Sequence, residues 1–259
     1  MPRCNVIVVG ASAGGVEALL GLVGALPSDL DAAVGIAIHV PENPTSVLPG
    51  ILSRNGHLPA EHANDGEPLC HGRIYVAPPG HHLLFKRRTV RAVNGPPENG
   101  HRPSVDPLFR TAARAHGRRV VGVILSGALD DGTAGLSTVK ALGGAALVQD
   151  PKEALFAGMP TSALEHVDVD FVGSVEAIAA ELVRRTAQLM HDTTEEKITE
   201  EGDELDAVEM DGGSAAPAAP TAASLSVQSA ALHVLPGPRR VLSHPHPEEL
   251  FRRENRWQP

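Results

Sequence analysis

Near its beginning the chain reads Val6-Ile7-Val8-Val9-Gly10-Ala11-Ser12-Ala13-Gly14-Gly15. The apolar run in this stretch predicts a buried strand, and the helical spacing of apolar residues after Gly15 predicts a helix. Between them, Gly10 and Gly14 allow a tight turn that leaves Ser12 at its tip, close to the unpaired N–H groups of a helix start. A strand, a glycine-flanked serine and a helix in this order are typical of a nucleophile elbow, so the stretch indicates an α/β fold and a serine hydrolase.

Two other interpretations of this turn stay open on the motif alone. Gly10-x-Ser12-x-x-Gly15 is one substitution from the G-x-G-x-x-G pattern of dinucleotide-binding folds. However, Ser12 stands where a nucleotide site needs bare backbone, and the predicted second strand ends in His39 rather than in an acidic residue. A purely structural tight turn is the third interpretation.

A strongly acidic segment divides the chain after residue 191. The 259-residue sequence has 22 basic and 31 acidic residues, and residues 192–211 hold ten of the acidic residues but only one lysine. The rest of the chain is therefore balanced in charge and offers no basic face for nucleic acid. We expect a folded domain at residues 1–191 and, at residues 192–259, an acidic and then Ala/Pro-rich tail. This tail is predicted to be disordered, because its composition cannot bury enough apolar surface to offset the entropy of ordering.

Cysteine content and hydropathy indicate a soluble, cytoplasmic protein. Two cysteines are too few for a disulfide framework, and no signal peptide precedes the first predicted strand. No apolar stretch approaches the roughly 20 residues that a membrane-spanning helix needs. The sequence leaves the oligomeric state open.

Short apolar runs alternate with helical patterns through about the first 185 residues. Several runs, such as residues 120–125, are apolar throughout, which is typical of strands covered on both faces. We predict an α/β fold with a mostly parallel, doubly wound, Rossmann-like sheet and an appended β-hairpin at residues 82–93. The predicted strands cover residues 5–9, 34–39, 73–77, 82–85, 89–93, 120–125, 145–149 and 170–172. The predicted helices cover residues 15–25, 46–53, 107–116, 134–142, 159–165 and 174–191.

Polar side chains follow three of the predicted strands, at the sheet edge where open α/β folds bind ligands. Ser12 follows the first strand, His39 ends the second, and Asp130 and Asp131 lie in the loop after residues 120–125. His39 can act as the base for Ser12, because an imidazole changes charge near neutral pH. Either aspartate can hold that imidazole in the correct tautomer. The sequence therefore predicts a Ser-His-Asp site.

Five motifs occur in order along the folded part. They are Gly10-Ala11-Ser12-Ala13-Gly14-Gly15, His39-Val40-Pro41, His101-Arg102-Pro103-Ser104-Val105-Asp106, Ser126-Gly127-x-x-x-Asp131-Gly132 and Gly158-Met159-Pro160. Together they resemble the catalytic domain of the bacterial chemotaxis protein-glutamate methylesterase (CheB-type) family, over about residues 3–190. Five motifs in register are far more specific than any one of them alone.

The resemblance implies a hydrolase that demethylates glutamate γ-methyl esters on chemoreceptor-type proteins and can also deamidate glutamine there. Ser12 matches the family's nucleophile and His39 its general base. Asp131 matches the orienting acid, because it is the aspartate directly before the glycine. Backbone N–H groups near Ala13 and Ala128 are candidate oxyanion donors. The implied partner is a methylated chemoreceptor or a similar protein, which can itself be membrane-bound.

Three residues depart from the family pattern. Ala13 replaces a hydroxyl residue, Ala128 replaces a methionine, and Leu129 replaces a glycine, so the wall of the pocket is altered. The resemblance also begins at about residue 3, and we expect a stand-alone catalytic domain without a receiver domain. An inactive or weakly active binding module in a chemosensory-like signalling complex is the alternative function.

Arg102 and a set of histidines complete the candidate site residues. Arg102 can bind an acidic group of the substrate, against the alternative that its segment only begins a helix. The histidines are spaced like no metal-ligand pattern, so we expect no metal and no cofactor. They are His57, His62, His71, His81 and His82.

Overall fold

The structure is a computed structural model that describes residues 5–39 and 46–191. These residues belong to one compact unit. The acidic and Ala/Pro-rich segment at residues 192–259 lies outside the described residues. Its disorder and the domain boundary after residue 191 therefore stay predictions.

Seven strands form one parallel sheet. They are β1 (Val6–Ala11), β2 (Ala33–Ile38), β3 (Ala60–His62), β4 (Arg73–Val76), β7 (Val120–Ile124), β8 (Ala145–Gln149) and β9 (Phe171–Gly173). Their order across the sheet is β3-β4-β2-β1-β7-β8-β9. Two further strands in the described part of the chain, β5 (His82–Phe85) and β6 (Val90–Val93), pair with each other as an antiparallel hairpin.

Helices cover both faces of the sheet. They are α1 (Gly15–Ala25), α2 (Leu48–Asn55), α3 (Val105–His116), α4 (Thr133–Ala141), α5 (Gly158–His166) and α6 (Val175–His191). One apolar cluster joins the sheet to α1, α2 and α6, and a second cluster joins its other face to α3, α4 and α5. Among the described residues, no helix combines the length and the apolar character needed to cross a membrane.

The continuous apolar run of β1 reflects this two-sided burial. Ile7 and Val9 pack into the first cluster, whereas Val6 and Val8 pack into the second. All six residues of β1 are buried, so side chains that alternate across the strand must be apolar on both faces. The predicted doubly wound α/β sheet and the appended hairpin are confirmed.

The direction of winding changes at β1, and this change positions the site. From β1 the chain moves outward through α1 to β2 on one side, while β7, β8 and β9 extend the sheet on the other. Ligands of open α/β sheets bind outside the carboxyl ends of the strands at such a switch point. The segments that follow β1, β2 and β7 therefore converge on one edge.

Several elements differ from the sequence-based expectation. Strand β1 ends at Ala11 rather than at residue 9, and α2 lies two residues later than the predicted range 46–53. The edge strand β3 is not predicted, because it has only three residues and carries the exposed Glu61 at its centre. Helix α3 begins at Val105, two residues before the predicted start at Pro107. A proline is tolerated in the first turn of a helix, where its missing N–H would have no intrahelical partner.

Candidate active site

The turn after β1 holds Ser12 against the loop that follows β7. The Ser12 amide donates to the Ser126 carbonyl at 2.9 Å, and the Gly15 amide donates to the Ser12 carbonyl at 2.9 Å. Gly14 takes a left-handed φ of +68° as the residue that precedes α1, a conformation that glycine adopts without steric cost. The turn thus presents the Ser12 hydroxyl beside a helix start.

Gly127 is the second glycine that the site requires, because the loop after β7 passes very close to Ser12 at this position. A Cβ on Gly127 would lie 3.0 Å from the Ser12 Cβ and would collide with the Met159 side chain. Only glycine allows the loop after β7 to pass this near to Ser12. The Gly127 backbone is therefore part of the wall around the serine.

His39 lies directly after β2 and bridges two of the three predicted residues. Its Nδ1 is 3.0 Å from Ser12 Oγ, and its Nε2 is 2.6 Å from Asp131 Oδ2. The ring is 9% exposed and the Asp131 side chain 2% exposed. Since an ionised carboxylate only accepts hydrogen bonds, the proton lies on Nε2 and the Nδ1 lone pair faces the serine hydroxyl.

Asp131 is held by a dense set of donors. Besides His39, it accepts hydrogen bonds from the Val105 amide at 2.7 Å, Asn99 Nδ2 at 2.8 Å, Ser104 Oγ at 2.9 Å and the Asp106 amide at 3.2 Å. Burial alone would raise the pKa of Asp131, but the hydrogen bonds from His39, Val105, Asn99 and Ser104 lower the pKa to about 2. Asp131 is therefore ionised at neutral pH.

The start of α3 supplies most of these donors. Its first two amides, of Val105 and Asp106, have no intrahelical acceptor and turn instead to the Asp131 carboxylate. A negative charge is also favoured next to a helix N-terminus. This helix start and the loop after β7 are thus built as one unit around the carboxylate.

A second buried carboxylate, Asp106, lies beside Asp131. Asn99 donates one amide hydrogen to Asp106 Oδ2 and the other to Asp131 Oδ1, both at 2.8 Å. Burial raises the pKa of Asp106, although hydrogen bonds from the Gly135 amide and Asn99 oppose the rise, and the charge of Asp131 adds to it. Asn99 thus joins two carboxyl groups that would otherwise repel each other.

His101 stacks on His39. The ring centroids are 3.6 Å apart and the rings are 15° from parallel. Burial and the neighbouring His39 lower the pKa of His101, although Asp131 opposes this. His101 belongs to one of the five sequence motifs, but the motif alone assigns it no role. The stacking indicates that His101 acts as a wall that fixes the His39 ring.

Asn99 and Ser104 are not identified from the sequence as site residues. Both reach Asp131 across separations of 32 and 27 residues, and such pairings leave no local pattern. The structure also decides which of the two loop aspartates belongs to the site. Asp131 is buried in this hydrogen-bond network, whereas Asp130 is exposed.

The two candidate oxyanion residues flank Ser12 from two loops. Ala13 follows Ser12 directly, and its carbonyl accepts a hydrogen bond from Ser126 Oγ at 2.8 Å. Ala128 is exposed and follows Gly127, the residue that approaches the Ser12 Cβ. Their roles as donors stay predictions.

Arg102 lies near the site but is engaged in its own loop. Its Nη1 donates to the Gly95 carbonyl at 2.9 Å, and its role in substrate binding stays a prediction. In residues 5–39 and 46–191, no group of three or more His, Cys, Asp or Glu side chains is placed to hold a metal ion. His71 contacts Asp31, and the buried His82 bonds with Pro96 and Ser104.

Comparison with known proteins decides the family. The CheB methylesterase family model matches residues 7–182. The chain belongs to the CheB methylesterase family. This match confirms the resemblance to CheB-type catalytic domains that the five motifs indicate.

Individual CheB-type relatives agree with this assignment. The "Protein-glutamate methylesterase/protein-glutamine glutaminase 2" of Anaeromyxobacter dehalogenans is 40% identical over 176 residues, which are 68% of this chain and 52% of the relative. The chain thus spans about half the length of that relative. A Leptospira interrogans relative is 38% identical over 179 residues, covering 69% of this chain and 93% of the relative.

A solved CheB structure has the same fold. The crystal structure of the Thermotoga maritima CheB methylesterase catalytic domain superposes with a TM-score of 0.69 at 29% identity. The match covers 71% of this chain and all of that domain. The architecture around Ser12, His39 and Asp131 is therefore that of the CheB fold.

Proposed function

We propose that this chain hydrolyses the γ-methyl ester of glutamate residues in a protein, with Ser12 as nucleophile, His39 as general base and Asp131 as the orienting acid. The observation that carries the proposal is the hydrogen-bonded series Ser12 Oγ, His39 Nδ1, His39 Nε2 and Asp131 Oδ2. Family membership and the names of the relatives, which include protein-glutamate methylesterase, support it.

The reaction begins with attack of Ser12 Oγ on the ester carbonyl carbon. His39 Nδ1 takes the hydroxyl proton as the Oγ–C bond forms. The tetrahedral intermediate collapses by breaking the bond to the methoxy group, and His39 returns the proton so that methanol leaves. Water then attacks the acyl-enzyme with His39 again as base, which releases the glutamate carboxyl group and regenerates Ser12.

Asp131 acts through His39 in this scheme. Its ionised carboxylate keeps the Nε2 proton in place, so that Nδ1 is free to accept the proton of Ser12. It also stabilises the imidazolium that forms after proton transfer. The low pKa of Asp131, about 2, keeps the carboxylate charged throughout, because its other donors hold the negative charge even while His39 changes state.

The carbonyl oxygen becomes negatively charged in the intermediate and needs donors. We assign this role to backbone N–H groups at Ala13 and Ala128, which require no particular side chain. The substitution of the family's larger residues by alanine therefore leaves these backbone donors in place and changes only the wall beside them.

The substrate we propose is a chemoreceptor-type protein in the cytoplasm. The relatives' names also include protein-glutamine glutaminase, and deamidation follows the same scheme with ammonia as the leaving group. An inactive binding module is the second candidate, but a complete and buried hydrogen-bond network around Asp131 disfavours it, since a binding surface has no use for such a network.

The test is methanol release from a peptide with a single glutamate γ-methyl ester and from a methylated chemoreceptor cytoplasmic domain. We expect Ser12→Ala to reduce turnover by at least about 10³-fold without a change in the unfolding midpoint. The matched control is Ser137→Ala, which removes an exposed hydroxyl on α4 and leaves turnover unchanged. Methanol release by Ser12→Ala at the wild-type rate would refute the assignment.

A further inference from the structure

Leu129 combines two features that folding does not explain. Its backbone has a φ of +63°, a left-handed conformation that is unfavourable for a residue with a Cβ. Its side chain is 72% exposed, so apolar packing within the described residues offsets little of this strain. A strained, exposed leucine between Gly127 and Asp131 points to a role outside the fold.

Two more exposed apolar side chains lie on the neighbouring loop, which follows β8. Leu155 is 72% exposed and Phe156 is 46% exposed. This loop is fastened to the loop after β7, because the Phe156 amide donates to Ser126 Oγ at 3.0 Å and the Gly127 amide donates to the Phe156 carbonyl at 3.0 Å. The exposure of Leu155 and Phe156 is thus held in place beside the site.

Close contacts place these residues beside the nucleophile turn and the loop that faces it. A Cβ on Gly14 would lie 2.8 Å from the Leu155 Cβ, and a Cβ on Gly158 would lie 2.8 Å from the Leu129 amide nitrogen. Gly14 lies two residues after Ser12 in the turn, and Gly127, where a Cβ would lie 3.0 Å from the Ser12 Cβ, lies in the facing loop. We call Leu129, Leu155 and Phe156 the apolar rim.

Charged side chains border the apolar rim on both loops. Asp130 follows Leu129, and Lys152 and Glu153 precede Leu155, all three exposed. An apolar centre with a charged margin is the arrangement found in protein-binding surfaces. Exposed Leu142, in contrast, lies at the end of α4, just before β8 begins at the opposite edge of the sheet.

We propose that the apolar rim binds apolar side chains that flank the reacting glutamyl ester in the substrate protein, with Leu129 as the specificity-determining residue. This inference rests on the proposed function. The γ-methyl ester lies only a few bonds from the substrate backbone, so the backbone must pass close to Ser12 and the residues that flank the ester come near the rim. The occupant that we propose is a helical segment with leucine-type residues three and four positions from the ester, because these positions share the face of the ester on a helix.

The experiment compares two synthetic helical peptides that carry one glutamate γ-methyl ester. One peptide has leucine at positions three and four residues to each side of the ester, and the other has glutamine there. Wild-type protein is expected to show about tenfold higher kcat/KM on the leucine peptide, from partial burial of one or two apolar side chains. N-acetylglutamate γ-methyl ester serves as the small substrate that does not reach the rim.

Two matched leucine variants show whether the peptide preference depends on the apolar rim or on exposed leucines in general. Leu129→Ala is expected to remove most of the preference for the leucine peptide, measured as the ratio of kcat/KM on the two peptides, whereas Leu142→Ala leaves both this ratio and kcat/KM on the small ester unchanged. Leu129→Gly also loses the preference, and it raises the unfolding midpoint because glycine relieves the left-handed strain. A gain in stability with a loss of selectivity is not expected from a merely structural residue.

Equal kcat/KM on the two peptides, or a preference that survives in Leu129→Ala, would overturn the inference. Neither result touches the proposed function, which fails separately if Ser12→Ala still hydrolyses the small ester.

Discussion

At the scale of single residues, the site depends on how His39 is held. Asp131 fixes the ring from one side through Nε2, and His101 covers its face at 3.6 Å. Of these contacts, the sequence predicts the meeting of Ser12, His39 and an aspartate, because each follows a strand of a parallel sheet. It does not predict Asn99, Ser104 or the stacking of His101, which depend on loop conformations with no local signature.

Asp131→Asn is expected to lower kcat by roughly 10³- to 10⁴-fold, since the amide no longer stabilises the tautomer and the imidazolium that the reaction needs. Asp130→Asn provides the matched control, because Asp130 is exposed, and it leaves kcat unchanged. Steady-state methanol release at pH 7 measures both. An equal loss in the two variants would contradict the assignment of Asp131.

Two substitutions of His101 distinguish the effect of a flat ring on the activity from the effect of a positive charge. His101→Phe keeps a flat ring against His39, so kcat/KM is expected to stay within about threefold of wild type. His101→Lys places a cation next to the imidazolium that forms in the reaction. A unit charge at about 4 Å costs up to about 4 kcal/mol at the effective dielectric of a partly exposed site.

We therefore expect kcat/KM of His101→Lys to fall by at least tenfold at pH 7, and the loss to shrink at high pH as the lysine loses its proton. Measurement of kcat/KM from pH 6 to 10 tests this. A loss in His101→Phe as large as that in His101→Lys, and independent of pH, would contradict the role of His101 as a flat wall against His39.

At the scale of elements, helix α3 joins the core to the site. Its start donates the amides of Val105 and Asp106 to Asp131, while the Val105 side chain packs against Gly10 of β1. Sequence periodicity predicts the body of α3, but its first turn is missed because Pro107 resembles a start signal. The true start is set by a carboxylate 26 residues away.

Gly10→Ala is expected to lower the free energy of unfolding by about 1–3 kcal/mol, because the new Cβ collides with Val105 and the core is close-packed. The same displacement moves the Val105 amide from Asp131, so kcat falls as well. Gly50→Ala is the control in α2, where a Cβ would meet, among the described residues, only Arg54 Nη1 at 3.6 Å.

Since alanine is the better helix former, Gly50→Ala is expected to raise the free energy of unfolding by about 0.5–1 kcal/mol. Urea denaturation of both variants gives the two values. Stability changes of the same sign would contradict the packing that we describe around Gly10.

At the scale of the whole molecule, winding on both sides of β1 brings the ends of β1, β2 and β7 together. This part of the architecture is predictable, because residues such as Val6–Ala11 are apolar on both faces of the strand and parallel strands require helical crossovers. The positions of the loop side chains could not be predicted from the sequence in this way. Their positions follow from side chains that meet only after the sheet has formed.

The ionisation of Asp131 makes the free energy of unfolding depend on pH in the acidic range. Its pKa of about 2 in the folded protein lies below the ordinary value of 3.8, so its stabilising contribution is complete above about pH 5 and is lost as the pH falls toward 2. The size of this contribution is about 2 kcal/mol.

The free energy of unfolding of wild type is therefore expected to fall more steeply between pH 5 and pH 2 than that of Asp131→Asn, with the two curves converging by about 2 kcal/mol. Chemical denaturation at a series of pH values measures the difference. Parallel curves would show that Asp131 is not held as a stabilised carboxylate.

Covalent labelling with a fluorophosphonate measures whether His39 and Asp131 activate Ser12. We expect wild-type protein to gain one label, mapped by peptide mass to Ser12, and the Ser137→Ala control to react at the same rate. His39→Gln is expected to slow labelling by at least about 10²-fold, because the hydroxyl then lacks its base. Labelling at another serine, or a rate in His39→Gln equal to that of wild type, would contradict the account.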